Sequence, residues 1–350
     1  GMAAIRYAIE AIAEVGSNIV STAQLYGGTY NLFAHTFPRQ GIEVRFAHAD
    51  DFEGAAALID ENTKALFCES IGNPAGNVVD IQRWADIAHA AGVPLIVDNT
   101  VATPFLCRVF DFGADIAVHS LTKYIGGHGT TIGGAIIDSG KFDWVANADR
   151  FAVMNTPDPS YHGVVYTEAL GEAAYIGRCR VVPLRNTGAA LSPHSAFLIM
   201  QGLETLGLRM ERHCENAEKV AAYLQGHRQV TRVNYATLED SPHRGTCERI
   251  CGCRCIRGQF FLVECGAYKL AFHDDRFETG ARIHQGLFFF SLLVLLAVRA
   301  YFGRVLRKNH RRRQPFIVLD RERHEILIDL HIDRLFLFRH RWNVDRVVIE

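Results

Sequence analysis

Net charge is almost absent from this 350-residue chain, in which 37 Lys and Arg stand against 38 Asp and Glu. The whole chain is therefore not a nucleic-acid binder, because phosphate binding needs a basic field. Long apolar runs are missing too. LFFFSLLVLLAV at 287–298 ends at Arg299 and falls short of the roughly 18–20 residues of a membrane helix. No membrane association is expected, and a buried helix or non-native sequence accounts for the run. No internal repeat stands out, which argues against a solenoid. A usual zinc spacing is also lacking. Cys247, Cys251, Cys253 and Cys255 follow Cys-x3-Cys-x-Cys-x-Cys, with Cys265 beyond, so no metal site is expected. No secretory leader opens the sequence, since MAAIRYAIEAIAE at 2–14 already has helical amphipathic spacing. Cys68, Cys107, Cys179 and Cys214 are scattered as reduced thiols are, and a cytoplasmic setting is expected.

What is present is unevenly spread. Hydrophobic residues make up 49% of the chain, enough for a large core in one or two domains. Residues 1–240 carry 17 Lys and Arg against 26 Asp and Glu, whereas residues 241–350 carry 20 against 12. The acidic first part alternates two periodicities. Short β-type runs occur at 18–22, 43–47, 65–71, 94–100, 116–120 and 133–138, with helical stretches between most of them, notably 51–60 and 80–91. Continuous apolar strands separated by helices predict an α/β fold, a mostly parallel sheet with helices on both faces. Ligands of such sheets bind beyond the carboxyl ends of the strands, where Asp98, Asn99, Ser120 and Lys123 fall. Ser192-Pro193 is an N-cap and N1 pair for a helical pattern running to about Gln225, and VTRVNY at 230–235 reads as a following strand. After about residue 241 no stable alternation is legible except at 316–350. The basic run RKNHRRR reads as a solvated charge run.

Several residues of the first part share the character of one site. Lys123 sits in HSLTKYIGGHGTTIGG after a buried strand; alone it would be a solvated lysine, but Ser120 and Thr122 supply hydroxyls of the kind a phosphate needs. The glycines after it let the backbone approach closely. Asp98 ends PLIVDN and needs a cationic partner, such as a protonated pyridine nitrogen; the competing reading is a helix N-cap. Gly1 and Met2 open a helix whose free amides form an anion site, or merely an ordinary helix start. Tyr26 in LYGGT could lay its ring on a flat cofactor or fill the core before a glycine turn. Asn73 in GNP could bind a cofactor oxygen or close a turn. His119 and His128 read as local scaffolding.

In family order and spacing, GMAAI, STAQLYGGTYNLF, ESIGNP, PLIVDNT and HSLTKYIGGHGTTIGG make residues 1 to about 240 resemble the Cys/Met-metabolism family of fold-type-I pyridoxal-phosphate enzymes. TKYIGGHGTTIGG, with NTPDPSYHGVVYTE at 155–168, is most similar to its O-acetylhomoserine sulfhydrylase branch. The resemblance implies pyridoxal 5'-phosphate as cofactor, held by Lys123 as an imine, with Asp98 on the pyridine nitrogen. It implies that Tyr26 stacks on the ring and assists proton transfer, and that Gly1, Met2, Ser120 and Thr122 bind the phosphate. Asn73 would lie near the cofactor's phenolic oxygen or the substrate carboxylate. The implied reaction is γ-replacement, making homocysteine or methionine from O-acetylhomoserine and sulfide or methanethiol. The alternatives are cystathionine γ-synthase or methionine γ-lyase chemistry, or an inactive fragment that binds only cofactor or subunits. A homo-oligomer, by resemblance a tetramer, is implied as well.

The expected organisation is a pyridoxal-phosphate-binding large domain over 1–185, bridging helices and the start of a small domain over 186–240, and an atypical segment over 241–350. The family carries several dozen further residues ahead of the opening helix, with a Tyr and an Arg that reach a neighbouring subunit's phosphate. Its small domain carries a carboxylate-binding Arg in an RLSVG-like context, which is not found after residue 241. A shifted reading frame, a degenerate gene or truncation is the expectation for that segment.

Overall fold

The computed structural model describes residues 1–251 in full and, through their backbone, the strands at 261–265, 268–272, 317–320 and 325–328. Two compact units divide the chain, Gly1–Phe277 and Glu278–Glu350. Among the described residues, the second contributes one antiparallel pair, Ile317–Asp320 with Glu325–Ile328.

The first unit is built on a six-stranded sheet: β1 (Asn18–Thr22), β2 (Glu43–Ala47), β3 (Thr63–Glu69), β4 (Leu95–Asp98), β5 (Ile116–Ser120) and β6 (Gly134–Asp138). The spatial order is β2-β1-β3-β4-β5-β6, parallel throughout except for the antiparallel pair β5–β6. Every residue of β1 and β4 is buried. A strand buried on both faces has no solvent side to alternate with, which is why the apolar residues of NIVST and LIVD are consecutive and the polar ones gather at the strand ends. The edge strands β2 and β6 are only half-buried. All six expected strands form. The third differs in its bounds: it stops at Glu69, and Ile71 pairs with Val78 in an isolated bridge.

The helices follow from local signals. Asp80 caps Ile81–Ala90 by accepting from the Arg83 amide, and Ile81, Trp84, Ala85 and Ala88 form its buried face. Asp51 caps Phe52–Ala57 through the Gly54 amide. The opening helix is Met2–Glu10, and turns carry the chain on to Ala13, short of the expected Glu14. The helical region expected over 192–225 is two helices, Pro193–Glu204 and Leu206–Gln225, parted at Thr205. The break has a packing cause. A Cβ on Gly202 would stand 2.0 Å from the Gly126 carbonyl oxygen, so the first helix must press on the loop after Lys123 before the second can begin.

The expected strand near 230–235 is β7 (Arg232–Asn234), which joins β8 (Phe261–Cys265) and β9 (Tyr268–Phe272) in an antiparallel sheet. A helix, Arg244–Cys251, also forms where the sequence showed no stable alternation; Cys247, Ile250 and Cys251 give it one buried stripe too short to register as a period. Cys253, Cys255, Cys265, the run 287–298 and RKNHRRR lie outside the residues whose side chains are described. Among the described residues, no helix is long and apolar enough to cross a membrane.

Candidate active site

The carboxyl ends of β1, β3, β4 and β5 converge on one crevice. Strand order makes the chain leave β1 toward one side of the sheet and β3 toward the other, which opens a switch point between them. Tyr26 follows β1, Asn73 follows β3, Asp98 ends β4, and Ser120, Thr122 and Lys123 end or follow β5.

Contacts join these residues into a closed circuit. The opening helix starts against Ser120: a Cβ on Gly1 would stand 2.7 Å from Ser120 Oγ, so only glycine fits there. The Gly1 nitrogen donates to the Gly133 carbonyl at 2.6 Å. Gly1 is the helix N-cap and offers no side-chain acceptor, which leaves the first amides without an intrahelical partner. Met2 lies against the Tyr26-Gly27-Gly28 turn, since a Cβ on Gly28 would meet both Met2 Sδ and the Tyr26 ring. Tyr26 presents its ring to Lys123, whose Nζ is 5.9 Å from the centroid. The Tyr26 amide donates to Glu69 Oε1 at 2.7 Å, and the Asn73 amide donates to Glu69 Oε2 at 3.3 Å. Glu69 stands beside Asp98 in the β3–β4 register. The Thr100 amide and hydroxyl donate to Asp98 Oδ1 at 3.0 and 2.5 Å, and Thr100 Oγ1 accepts from the Ser120 amide at 2.7 Å, which closes the circuit.

Two links of that circuit, Glu69 and Thr100, were missed from sequence. Both lie inside motifs quoted above, ESIGNP and PLIVDNT. An acid at the end of an apolar strand was the available signal, the same one that singled out Asp98.

Asp98 is 8% exposed, and no Lys or Arg among the described residues forms an ion pair with it. Burial pushes its carboxyl above the ordinary range, against the two Thr100 hydrogen bonds. Burial and the neighbouring Asp98 charge push Glu69 well above its range, against the two amides. A buried carboxylate with donors on one oxygen only, facing a crevice, wants a cation from outside the chain.

The lysine loop is held from behind. Arg209 donates to the carbonyls of Tyr124 at 2.6 Å, Ile125 at 3.3 Å and Gly202 at 2.6 Å. Gly127 has φ +71°, and a Cβ there would meet the Arg209 guanidinium at 2.5 Å. Gly126 and Gly127 thus admit the bridging helices. The Thr122 hydroxyl accepts from the Gly133 amide at 3.0 Å, so it braces the loop. His119 is buried, with burial holding its imidazole down to about 4. His128 Nδ1 lies 2.8 Å from the Gly126 carbonyl. Among the described residues, no cluster of His, Cys, Asp or Glu could hold a metal.

The residues fit pyridoxal phosphate. An unpaired acid suits the ring nitrogen, a lysine and an aromatic ring face each other, and a side-chain-free helix start abuts a serine hydroxyl. Fold and site together define a fold-type-I pyridoxal-phosphate enzyme. The model of the family described as Cys/Met metabolism PLP-dependent enzyme matches residues 1–253, and the chain belongs to that family. It is 56% identical over 240 residues to a homocysteine synthase of Schizosaccharomyces pombe, covering 68% of this chain and 56% of that protein. Among solved structures it is similar to an O-acetylhomoserine (thiol)-lyase of Campylobacter jejuni bearing a pyridoxyl-lysine monophosphate, with 41% identity and TM-score 0.72 over 75% of this chain and 65% of that one. An O-acetylhomoserine sulfhydrylase of Wolinella succinogenes gives 37% identity and TM-score 0.67 over 76% and 72%. The chain spans about half the length of the curated relatives it matches.

Proposed function

We propose that the protein catalyses γ-replacement on O-acetylhomoserine, with sulfide or methanethiol as the incoming nucleophile, giving homocysteine or methionine. The observation that carries the reading is the buried Asp98, unpaired within the chain and joined through Thr100 and Ser120 to the Lys123 loop, in a chain whose similar proteins bear sulfhydrylase and homocysteine synthase names. Bound pyridoxal 5'-phosphate supplies an electron sink for charge developed at the substrate carbons. Asp98 would hold the pyridine nitrogen. Lys123 would hold the cofactor covalently and would move the protons at the substrate α- and β-carbons. Tyr26 would lie on the ring beside Lys123 Nζ. The first amides of the opening helix, from Gly1 and Met2, take the phosphate with the Ser120 and Thr122 hydroxyls. Asn73, on the opposite lip, binds the phenolic oxygen or the substrate carboxylate.

A homo-oligomer in the cytoplasm belongs to the same proposal. Phe197, Met200 and Leu203 project from one helix and are exposed, which supports a covered face, and the free buried cysteines suit a reducing compartment. Solution mass by light scattering checks the assembly. For the activity, O-acetylhomoserine is supplied to the cofactor-loaded chain with and without sulfide. Homocysteine formed only with sulfide supports replacement; 2-oxobutyrate formed without it would overturn replacement in favour of elimination.

A further inference from the structure

Glu69 occupies the junction of the site. It ends β3 next to Asp98, is 4% exposed, and forms no ion pair among the described residues. An acid is costly in that place, because two neighbouring buried carboxylates repel each other and lose hydration. A leucine or glutamine of similar size would avoid the charge. What neither could do is accept one amide on each of two terminal atoms. Glu69 accepts the Tyr26 amide on one oxygen and the Asn73 amide on the other. Those two segments leave the sheet on opposite sides of the switch point. One side chain therefore ties both lips of the crevice together from beneath.

We infer that Glu69 is a positioning residue of the active site, setting the width of the crevice between Tyr26 and Asn73 and thereby the placement of the Tyr26 ring against Lys123. What the crevice holds rests on the function proposed above; the two-amide pin does not. Glutamine keeps the volume but presents an NH2 group to one of the two amide donors, so it breaks half of the pin.

The experiment uses the full chain and its Glu69→Gln and Glu69→Ala variants. Amide hydrogen exchange is followed at Tyr26 and Asn73 before cofactor is added. Absorbance, induced circular dichroism of the cofactor, kcat and KM are measured after loading with pyridoxal phosphate. In Glu69→Gln, exchange at one of the two amides should rise about tenfold. Cofactor absorbance should persist while its induced dichroism falls by about half, and kcat should drop about tenfold with KM little changed. A role confined to folding would leave the dichroism of the folded, loaded variant intact. Exchange at both amides within about twofold of the parent, or an unchanged dichroism, would overturn the inference. If Glu69→Ala does not fold, Glu69→Gln decides alone. If the parent takes up no cofactor, the proposed function fails, and exchange at the two amides still decides the role of Glu69.

Discussion

Two acids, Asp98 buried and Asp158 half-buried, each inside a segment typical of the family, end in opposite states. Asp158, in NTPDPSYHG, accepts from the Tyr166 hydroxyl at 2.6 Å, the Ser160 amide at 2.8 Å and Arg178 at 3.0 Å. Burial works against its charge, yet these donors outweigh it and hold the carboxyl below the ordinary range. Asp98, in PLIVDNT, has the two Thr100 donors and the charge of the Gly1 nitrogen, and burial wins. The same residue type is a structural knot where its partners are inside the chain and a site where one partner is left to a ligand. The two differ both in depth and in whether a side-chain cation stands opposite: Asp158 is half-buried beside Arg178, and Asp98 is buried without one.

The largest effect expected from pressing this contrast comes at Lys123, which faces the Tyr26 ring in the same site. Lys123→Ala should abolish covalent cofactor attachment and turnover entirely while leaving the melting temperature nearly unchanged. Absorbance at the visible edge after gel filtration checks it. Next come the two acids themselves. Asp158→Asn breaks a half-buried, charge-assisted pair with Arg178 and should cost about 2 kcal/mol of stability in urea denaturation. Asp98→Asn should leave stability equal or raised, because it removes an uncompensated charge, while lowering kcat about 10³-fold through loss of the ring-nitrogen partner. The same loss of stability at both positions would break the comparison.

A smaller effect belongs to Arg209. Arg209→Lys keeps the charge but loses the planar fork that spans three carbonyls. About 2 kcal/mol of stability should be lost, with faster proteolysis within residues 121–127. The smallest concerns pH. His119 titrates at about 4 in the folded chain against 6.5 as the ordinary value, so the unfolded chain binds the extra proton between those values. Stability from this group is fully present above pH 6.5 and is lost as pH falls toward 4, about 2 kcal/mol between pH 7 and pH 5. His119→Gln should flatten that part of the stability profile measured by urea denaturation across the range.

Much of the fold was legible because parallel strands buried on both faces leave continuous apolar runs, and because Asp51, Asp80 and Ser192 announce helix starts through side-chain caps. The break at Thr205 was not legible, since nothing in the helical period of 192–225 signals that Gly202 must lie on the Gly126 carbonyl. The helix Arg244–Cys251 escaped because two of its three buried residues are cysteines, which read as metal ligands or thiols before they read as a stripe.

By itself the sequence determined that Lys123, Asp98, Tyr26, Ser120 and Thr122 lie at or just after strand ends, because strand period and turn chemistry are local. Only the tertiary structure decided which acids are paired. Asp158 meets Arg178 across 20 residues, Asp98 meets Glu69 across a strand pair, and Arg209 reaches the lysine loop from a helix 85 residues further on. Electrostatic pairing depends on distance through space and on burial, and neither quantity is carried by spacing along the chain.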